Sequence, residues 1–232
     1  MRFLMLILVI TTDCATGQGR KAISFFRADS IARLYPGHSL IQMKALADKL
    51  TTPLSTETEK FRAIYMWVCL NIETNYDLYV KVKSKRSRHR DDPHALSYWN
   101  KKHQILLIKT LFTSHETICT GYSYLVRELA LMAGIRCEVV DGYSRNTRIG
   151  VRGTAIPNHS WNAVLLDNQW YLCDATWSSG IIEGSSGKFI PRYNDAWFLA
   201  EPQVFLRDHF PSDTTWLLTN QHPTLNEFLG RP

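Results

Sequence analysis

Apolar positions along the chain follow helical spacing in its first half and strand spacing later, and the change of period falls at one glycine. In SLIQMKALADKL, Leu40, Met43, Leu46, Ala47 and Leu50 recur every three to four residues, which predicts a short helix. After Pro53, Thr56 and Glu59 form a T-x-x-E capping box that opens a stronger helix, with Phe61, Ile64, Tyr65, Val68, Cys69 and Ile72 on one face. Cys69 is therefore read as core. The apolar patch ILLIKTLF is short enough for helix or strand and is read as helix. From Cys119 onward, Tyr122, Leu125, Val126, Leu129 and Met132 form a stripe that ends at Gly134, a natural left-handed helix stop.

Beyond Gly134 the alternation is that of strands: RCEVVDGYS, then a Gly- and Arg-rich loop, then HSWNAVLL and QWYLCDATW. Asp167 and Asn168 separate the last two runs, and both residues tolerate the positive φ of a two-residue hairpin turn. The tail from Asp195 to Pro232, rich in aromatics and prolines, reads as irregular packing over the core. The fold class is thus α+β. The expected organisation is a leader over 1–17, a helical region with a basic loop over 18–110, a catalytic core over 111–194 and an extension over 195–232.

Length and charge narrow the function. A chain of 232 residues, 45% hydrophobic, can bury one substantial core. Its net charge of +6 is concentrated in residues 81–103, where eight Lys and Arg face only Asp91 and Asp92. The rest is neutral, so no globally basic face exists, and no nucleic-acid-binding motif accompanies the run. Nucleic acid is excluded as a partner. The run is read as a solvated, mobile loop, with a cell-wall or surface polymer as the alternative partner.

At the amino terminus, Arg2, the apolar stretch Phe3–Ile10 and the small residues Ala15 and Gly17 have the layout of a secretory signal peptide. The stretch is shorter than the ~20 residues of a membrane span, and no other segment is a transmembrane candidate. Asp13 stands where a lipidated Cys14 would need a small residue. A freely secreted or periplasmic protein is expected. Cys69, Cys119, Cys137 and Cys173 remain, too few for a disulfide scaffold and without a C-x-x-C pair for zinc. A Cys137–Cys173 disulfide and two buried free thiols both stay open.

The hairpin carries the chemistry. If Asp167 and Asn168 are the two loop residues, Leu166 faces Gln169 and Trp161 faces Asp174. His159 shares a face with Trp161, so Asp174 is its diagonal neighbour, about 7–8 Å away at Cα and within reach of a side-chain hydrogen bond. A one-residue slip would put them on opposite faces. Cys119 then has the partners a thiol nucleophile needs: His159 to move its proton and Asp174 to hold the imidazole. The helix that starts at Cys119 lowers the thiol pKa further. Ser123 and Ser160 lack a G-x-S-x-G elbow, no H-E-x-x-H supports a metal, and His89, His94, His103 and His115 scatter over the loop region. No cofactor or metal is expected. The Cys119 backbone N–H is the first candidate oxyanion donor. Tyr122, Trp161, Asn162 and Trp177 flank the triad as candidate substrate-binding residues, with core packing the equal alternative for each.

The stretches ICTGYSYLVRELALMAGIRCEVVDGYSR, HSWNAVLLDNQWYLCDATWSSG and AWFLAEPQVFLRDHFPSDTTWLL, with KFRAIYMWVCLNI upstream, resemble the transglutaminase-like superfamily, in particular its kyphoscoliosis peptidase-like branch. The ordered C-G-Y, H-x-W-N and D-A-T-W elements carry the likeness over most of the chain. The resemblance implies a papain-like α+β core, with the nucleophilic cysteine at a helix start packed against an antiparallel sheet bearing His and Asp. It matches Cys119, His159 and Asp174 to those positions. It also implies acyl transfer through a thioester on protein or peptide amides, ending on an amine or on water. Ser160 stands where the pattern often has Ala. The chain lacks the glycine-glutamine-cysteine-tryptophan signature and flanking β domains of the animal crosslinking enzymes, which points to a small bacterial-type member. Two alternatives are a non-catalytic binding or assembly module and a peptidoglycan amidase or endopeptidase.

Overall fold

The computed structural model describes residues 24–145, 156–184, 186–220 and 222–230; the leader, with Cys14, and most of the loop after the first long strand lie outside them. The amino-terminal layer comprises α1 (Phe26–Ala32), a 3-10 turn (Leu40–Gln42), α2 (Met43–Thr51) and α3 (Glu57–Asn71). The expected capping box opens α3: Thr56 Oγ1 accepts from the Glu59 N–H at 3.1 Å, and Glu59 Oε2 accepts from the Thr56 N–H at 3.3 Å. The single apolar face is too narrow a reading, because α3 is buried from Phe61 through Cys69. Arg62 is drawn inside by ion pairs with Asp29 and Asp195, contributed from 33 and 133 residues away, and the rings of Phe25, Tyr193 and Phe198 surround its guanidinium. Local periodicity has no means of showing such partners.

After the short strand β1 (Glu73–Thr74), residues 81–103 depart from the expected loop and form most of a helical hairpin, α4 (Tyr76–Arg88) and α5 (Pro93–Ser114). Asn75 caps α4 through its side chain, and Asp92 caps α5 with Pro93 in the first turn. The Asp-Pro pair read as a loop is the start of a helix. Lys and Arg are good helix formers, so charge density alone does not separate a solvated loop from a solvated helix. ILLIKTLF lies in α5, as expected.

The strand β2 (Glu116–Thr117) pairs in parallel with β1 and leads directly into α6 (Cys119–Met132). Gly134 ends that helix with φ 77°: its N–H bonds the Leu131 carbonyl, and the Ile135 N–H reaches back to Ala130. Then follow β3 (Cys137–Ser144), β4 (His159–Leu166) and β5 (Gln169–Cys173). Asp167 and Asn168 adopt φ 48° and 63°, and Leu166 pairs with Gln169. This is the predicted register. Next come α7 (Ala175–Ser179), the hairpin of β6 (Gly180–Ile182) and β7 (Phe189–Pro191), α8 (Pro202–Phe205), β8 (His209–Pro211) and α9 (Leu225–Gly230). The tail is more ordered than expected, because β8 pairs antiparallel with β3 and completes a sheet of order β5-β4-β3-β8. The sheet packs β3 and β4 against α6, so the expected α+β arrangement is present, with a cysteine at a helix start against an antiparallel sheet.

Cys69, Cys119, Cys137 and Cys173 are all free and buried. Cys137 and Cys173 lie on β3 and β5, with β4 between them. Two strand spacings amount to ~9.6 Å, beyond the Cα separation a disulfide tolerates.

Candidate active site

Three elements converge on one point. Cys119 is the first residue of α6, held there by the β1–β2 pairing and by Gly121, whose lack of a Cβ lets Thr117 pack against the first turn: a Cβ there would fall 1.9 Å from Thr117 Oγ1. His159 is the first residue of β4. Asp174 follows β5 and caps α7, its Oδ1 accepting from the Trp177 N–H at 3.1 Å. The ladder ends at Asn162 opposite Cys173, one pair short of the expected Trp161–Asp174 opposition. The diagonal contact forms nonetheless: His159 Nε2 lies 2.7 Å from Asp174 Oδ2. Asp174 is completely buried and His159 nearly so.

With Nε2 committed to Asp174, Nδ1 is the ring nitrogen left for Cys119. Burial pushes the Cys119 thiol up, but hydrogen bonding and charge from His159, with smaller help from Arg86 and the Ser160 N–H, bring it below its ordinary value. Burial likewise disfavours the His159 cation, but Asp174 and Cys119 outweigh it and raise the ring to about 10. Burial disfavours the Asp174 carboxylate too, and His159 and His209 hold it well below the usual range. The site favours a thiolate–imidazolium pair over a neutral thiol and ring.

The other predicted residues divide. Tyr122 is fully buried, and its hydroxyl donates to the Ile72 carbonyl at 2.7 Å. Asn162 is buried, with Nδ2 donating to the carbonyls of Ser123 at 2.9 Å and Glu138 at 3.2 Å. Trp161 is buried beside Phe205 and His209. These three are corrected from cleft residues to core residues: each shares a strand or helix with Cys119 or His159 but points into packing. Trp177 alone of the four is half-buried, its ring 5.5 Å from that of His159. Ser160 bonds Asp141 across the strands at 2.6 Å, which gives its hydroxyl a structural use.

Two contributors were not legible in the sequence. Arg86 sits on the face of α4 that carries Val82, and Val82 and Leu107 form a small buried cluster with Ile118, next to Cys119. His209 of β8 places Nε2 3.0 Å from the same Asp174 oxygen that His159 engages. His159, Asp174 and His209 together are the one group of metal-ligating side chains found among the described residues. Their short N–H···O contacts are hydrogen bonds, tighter than the separations of atoms sharing a tetrahedral ion.

A helix-borne cysteine facing a His–Asp pair on an antiparallel sheet defines the transglutaminase-like class of the papain-like fold. The sequence profile of the transglutaminase-like superfamily matches residues 44–175, more than half of the chain, and the chain belongs to that superfamily. It is 31% identical to kyphoscoliosis peptidase of Homo sapiens over 196 residues, covering 82% of this chain and 27% of that protein. The Mus musculus kyphoscoliosis peptidase is 30% identical over 188 residues, covering 80% and 26%. Hillarin of Drosophila melanogaster is 24% identical over 200 residues, covering 81% and 22%. The chain spans about a quarter of the length of these relatives.

Proposed function

We propose that the protein is a cysteine-dependent acyl-transfer enzyme acting on protein or peptide amides through a thioester. The observation that supports it best is the shared geometry of His159 and Asp174 at 2.7 Å beside a thiol whose pKa lies below its ordinary value. Cys119 Sγ attacks the amide carbonyl; the Cys119 backbone N–H, at the head of α6 where helical donors lack internal partners, serves as the oxyanion donor in this reading. The imidazolium of His159 gives its Nδ1 proton to the departing amine or ammonia. It then takes a proton from the water or amine that attacks the thioester, giving hydrolysis or crosslinking. Asp174 keeps the ring oriented and its cation stabilised throughout. Peptidoglycan peptides fall within the same amide class. Export by the leader over residues 1–17 belongs to the proposal, and amino-terminal sequencing of protein recovered outside the producing cell tests it.

The acylation step is tested with p-nitrophenyl acetate and mass spectrometry. An acyl group on Cys119 that hydroxylamine releases, and that Cys119→Ala and His159→Ala prevent, is the expected result. Absence of any acyl adduct on folded protein would overturn the reading. One observation favours a second reading, a non-catalytic binding module: Cys119 is only 8% exposed. That reading predicts no adduct even at saturating reagent.

A further inference from the structure

The matched profile ends at residue 175, yet a residue from the carboxy-terminal segment bonds the triad carboxylate. His209 is 1% exposed and lies inside a cage of rings, with centroids 4.0 Å from Phe205, 4.4 Å from Trp177, 5.1 Å from Trp161 and 5.2 Å from Trp197. Its Nε2 is 3.0 Å from Asp174 Oδ2, whereas its Nδ1 has no hydrogen-bond partner among the described residues. A buried Nδ1–H would be an unsatisfied donor, so the ring carries its proton on Nε2 and donates it to the carboxylate.

Charge supports the same assignment. The groups facing this ring are Asp174, His159 and Asp208, the rest of the cage being aromatic. Burial lowers the His209 pKa, and the bond to Asp174 does not restore it, so the ring is neutral near pH 7. One carboxylate thus receives two N–H donors, one from a histidine that becomes a cation and one from a histidine that stays neutral.

Resting on the acyl-transfer reading above, we propose that His209 is a positioning residue: a neutral donor that clamps Asp174 Oδ2 where it meets His159 Nε2, so that β8 completes the site. His159 and His209 both bond Oδ2, and the Trp177 N–H bonds Oδ1. Without the third bond, the carboxylate loses the donor that opposes its rotation away from His159. The imidazolium is then less supported, and the thiolate paired with it is too.

The test compares His209→Phe, which keeps a ring in the cage but has no donor, with His209→Gln, whose amide nitrogen can stand near the Nε2 position. Each full-length variant is followed by near-ultraviolet circular dichroism, by the pH dependence of Cys119 alkylation with iodoacetamide, and by kcat and KM for p-nitrophenyl acetate. The Phe variant is expected to lose about tenfold or more in kcat with KM held within about twofold, as for loss of a charge-assisted hydrogen bond. Its alkylation midpoint moves up toward that of a free thiol, and the Gln variant recovers most of both. A Phe variant with the wild-type midpoint and kcat, or a folded Gln variant as impaired as the Phe variant, overturns the proposal. The wild-type protein supplies a check that needs no variant: nitrogen-15 histidine spectra must show His209 as the Nε2–H tautomer at pH 7, and an Nδ1–H tautomer or a cation overturns it. A midpoint that depends on His209 in a protein that never acylates would sink the enzymatic reading and leave the clamp standing.

Discussion

Gly142 pairs directly with His159 across the β3–β4 ladder and, on its other edge, with Pro211 of β8. The strand carrying His159 and the strand carrying His209 are therefore registered to one another through a single glycine. A Cβ at position 142 would fall 2.3 Å from the Phe210 carbonyl oxygen and 2.4 Å from the Trp161 ring, neither of which is the free end of a flexible chain. Gly142→Ala is expected to lower the unfolding free energy by about 1–3 kcal/mol, the usual cost of forcing an extra group into packed surroundings. Urea titration measures it; a midpoint equal to that of the wild type would show that the β3–β8 contact yields freely.

The buried pair makes stability depend on pH in two directions. The folded His159 pKa, about 10, lies above the ordinary value of 6.5, so its contribution is complete below about pH 6.5 and is lost as pH rises through the folded value. Asp174 is shifted down, so its contribution is complete above about pH 4 and is lost on acidification. The Cys119 thiol, also lowered, opposes the His159 slope by adding stability as pH rises. In Cys119→Ala the opposing slope is gone. The melting temperature of that variant should fall from pH 6.5 upward, and the additional change His159→Gln should flatten the curve.

The α4–α5 hairpin packs beside the start of α6, next to Cys119. Val82, Leu107 and Ile118 are its small buried contact with the Cys119 end of α6. Val82→Ala removes two methyl-sized groups from that contact, a loss of about 1.6 kcal/mol by transfer alone. If the hairpin must lift for a reagent to enter, Cys119 alkylation at high pH should accelerate up to about tenfold, since 1.4 kcal/mol corresponds to a factor of ten. An unchanged rate at full ionisation would mean that the sulfur is reached by another route.

How much of this was legible in the chain can be traced residue by residue. Asp167-Asn168 fixed a two-residue turn, alternation fixed the faces, and His159 and Asp174 then met diagonally as the register requires. Thr56 with Glu59 and Gly134 were equally informative, because caps act over one turn. The misread positions depend on distant partners. Tyr122 and Asn162 each stand three residues from Cys119 and His159 respectively but bond to Ile72 and Ser123 in the core. The helix over residues 81–88 was hidden because solvated charge accompanies loops and helices alike. His209 was invisible for a different reason: β8 is three residues long and ends in Pro211, too short for alternation to register, and its contact with Asp174 spans 35 positions.

The central claim, that Cys119 is an activated thiol paired with His159, is tested most directly by the pH dependence of its alkylation. Iodoacetamide modification is followed at the Cys119 peptide by mass spectrometry in the wild-type protein and in His159→Ala. Cys69, Cys137 and Cys173 are buried with their thiols pushed up, and they serve as internal unreactive controls. The account predicts a reactive thiolate with a midpoint below the ~8.5 of an unperturbed thiol, rising toward that value when His159 is removed. A wild-type midpoint at or above ~8.5, unmoved by His159→Ala, would contradict it.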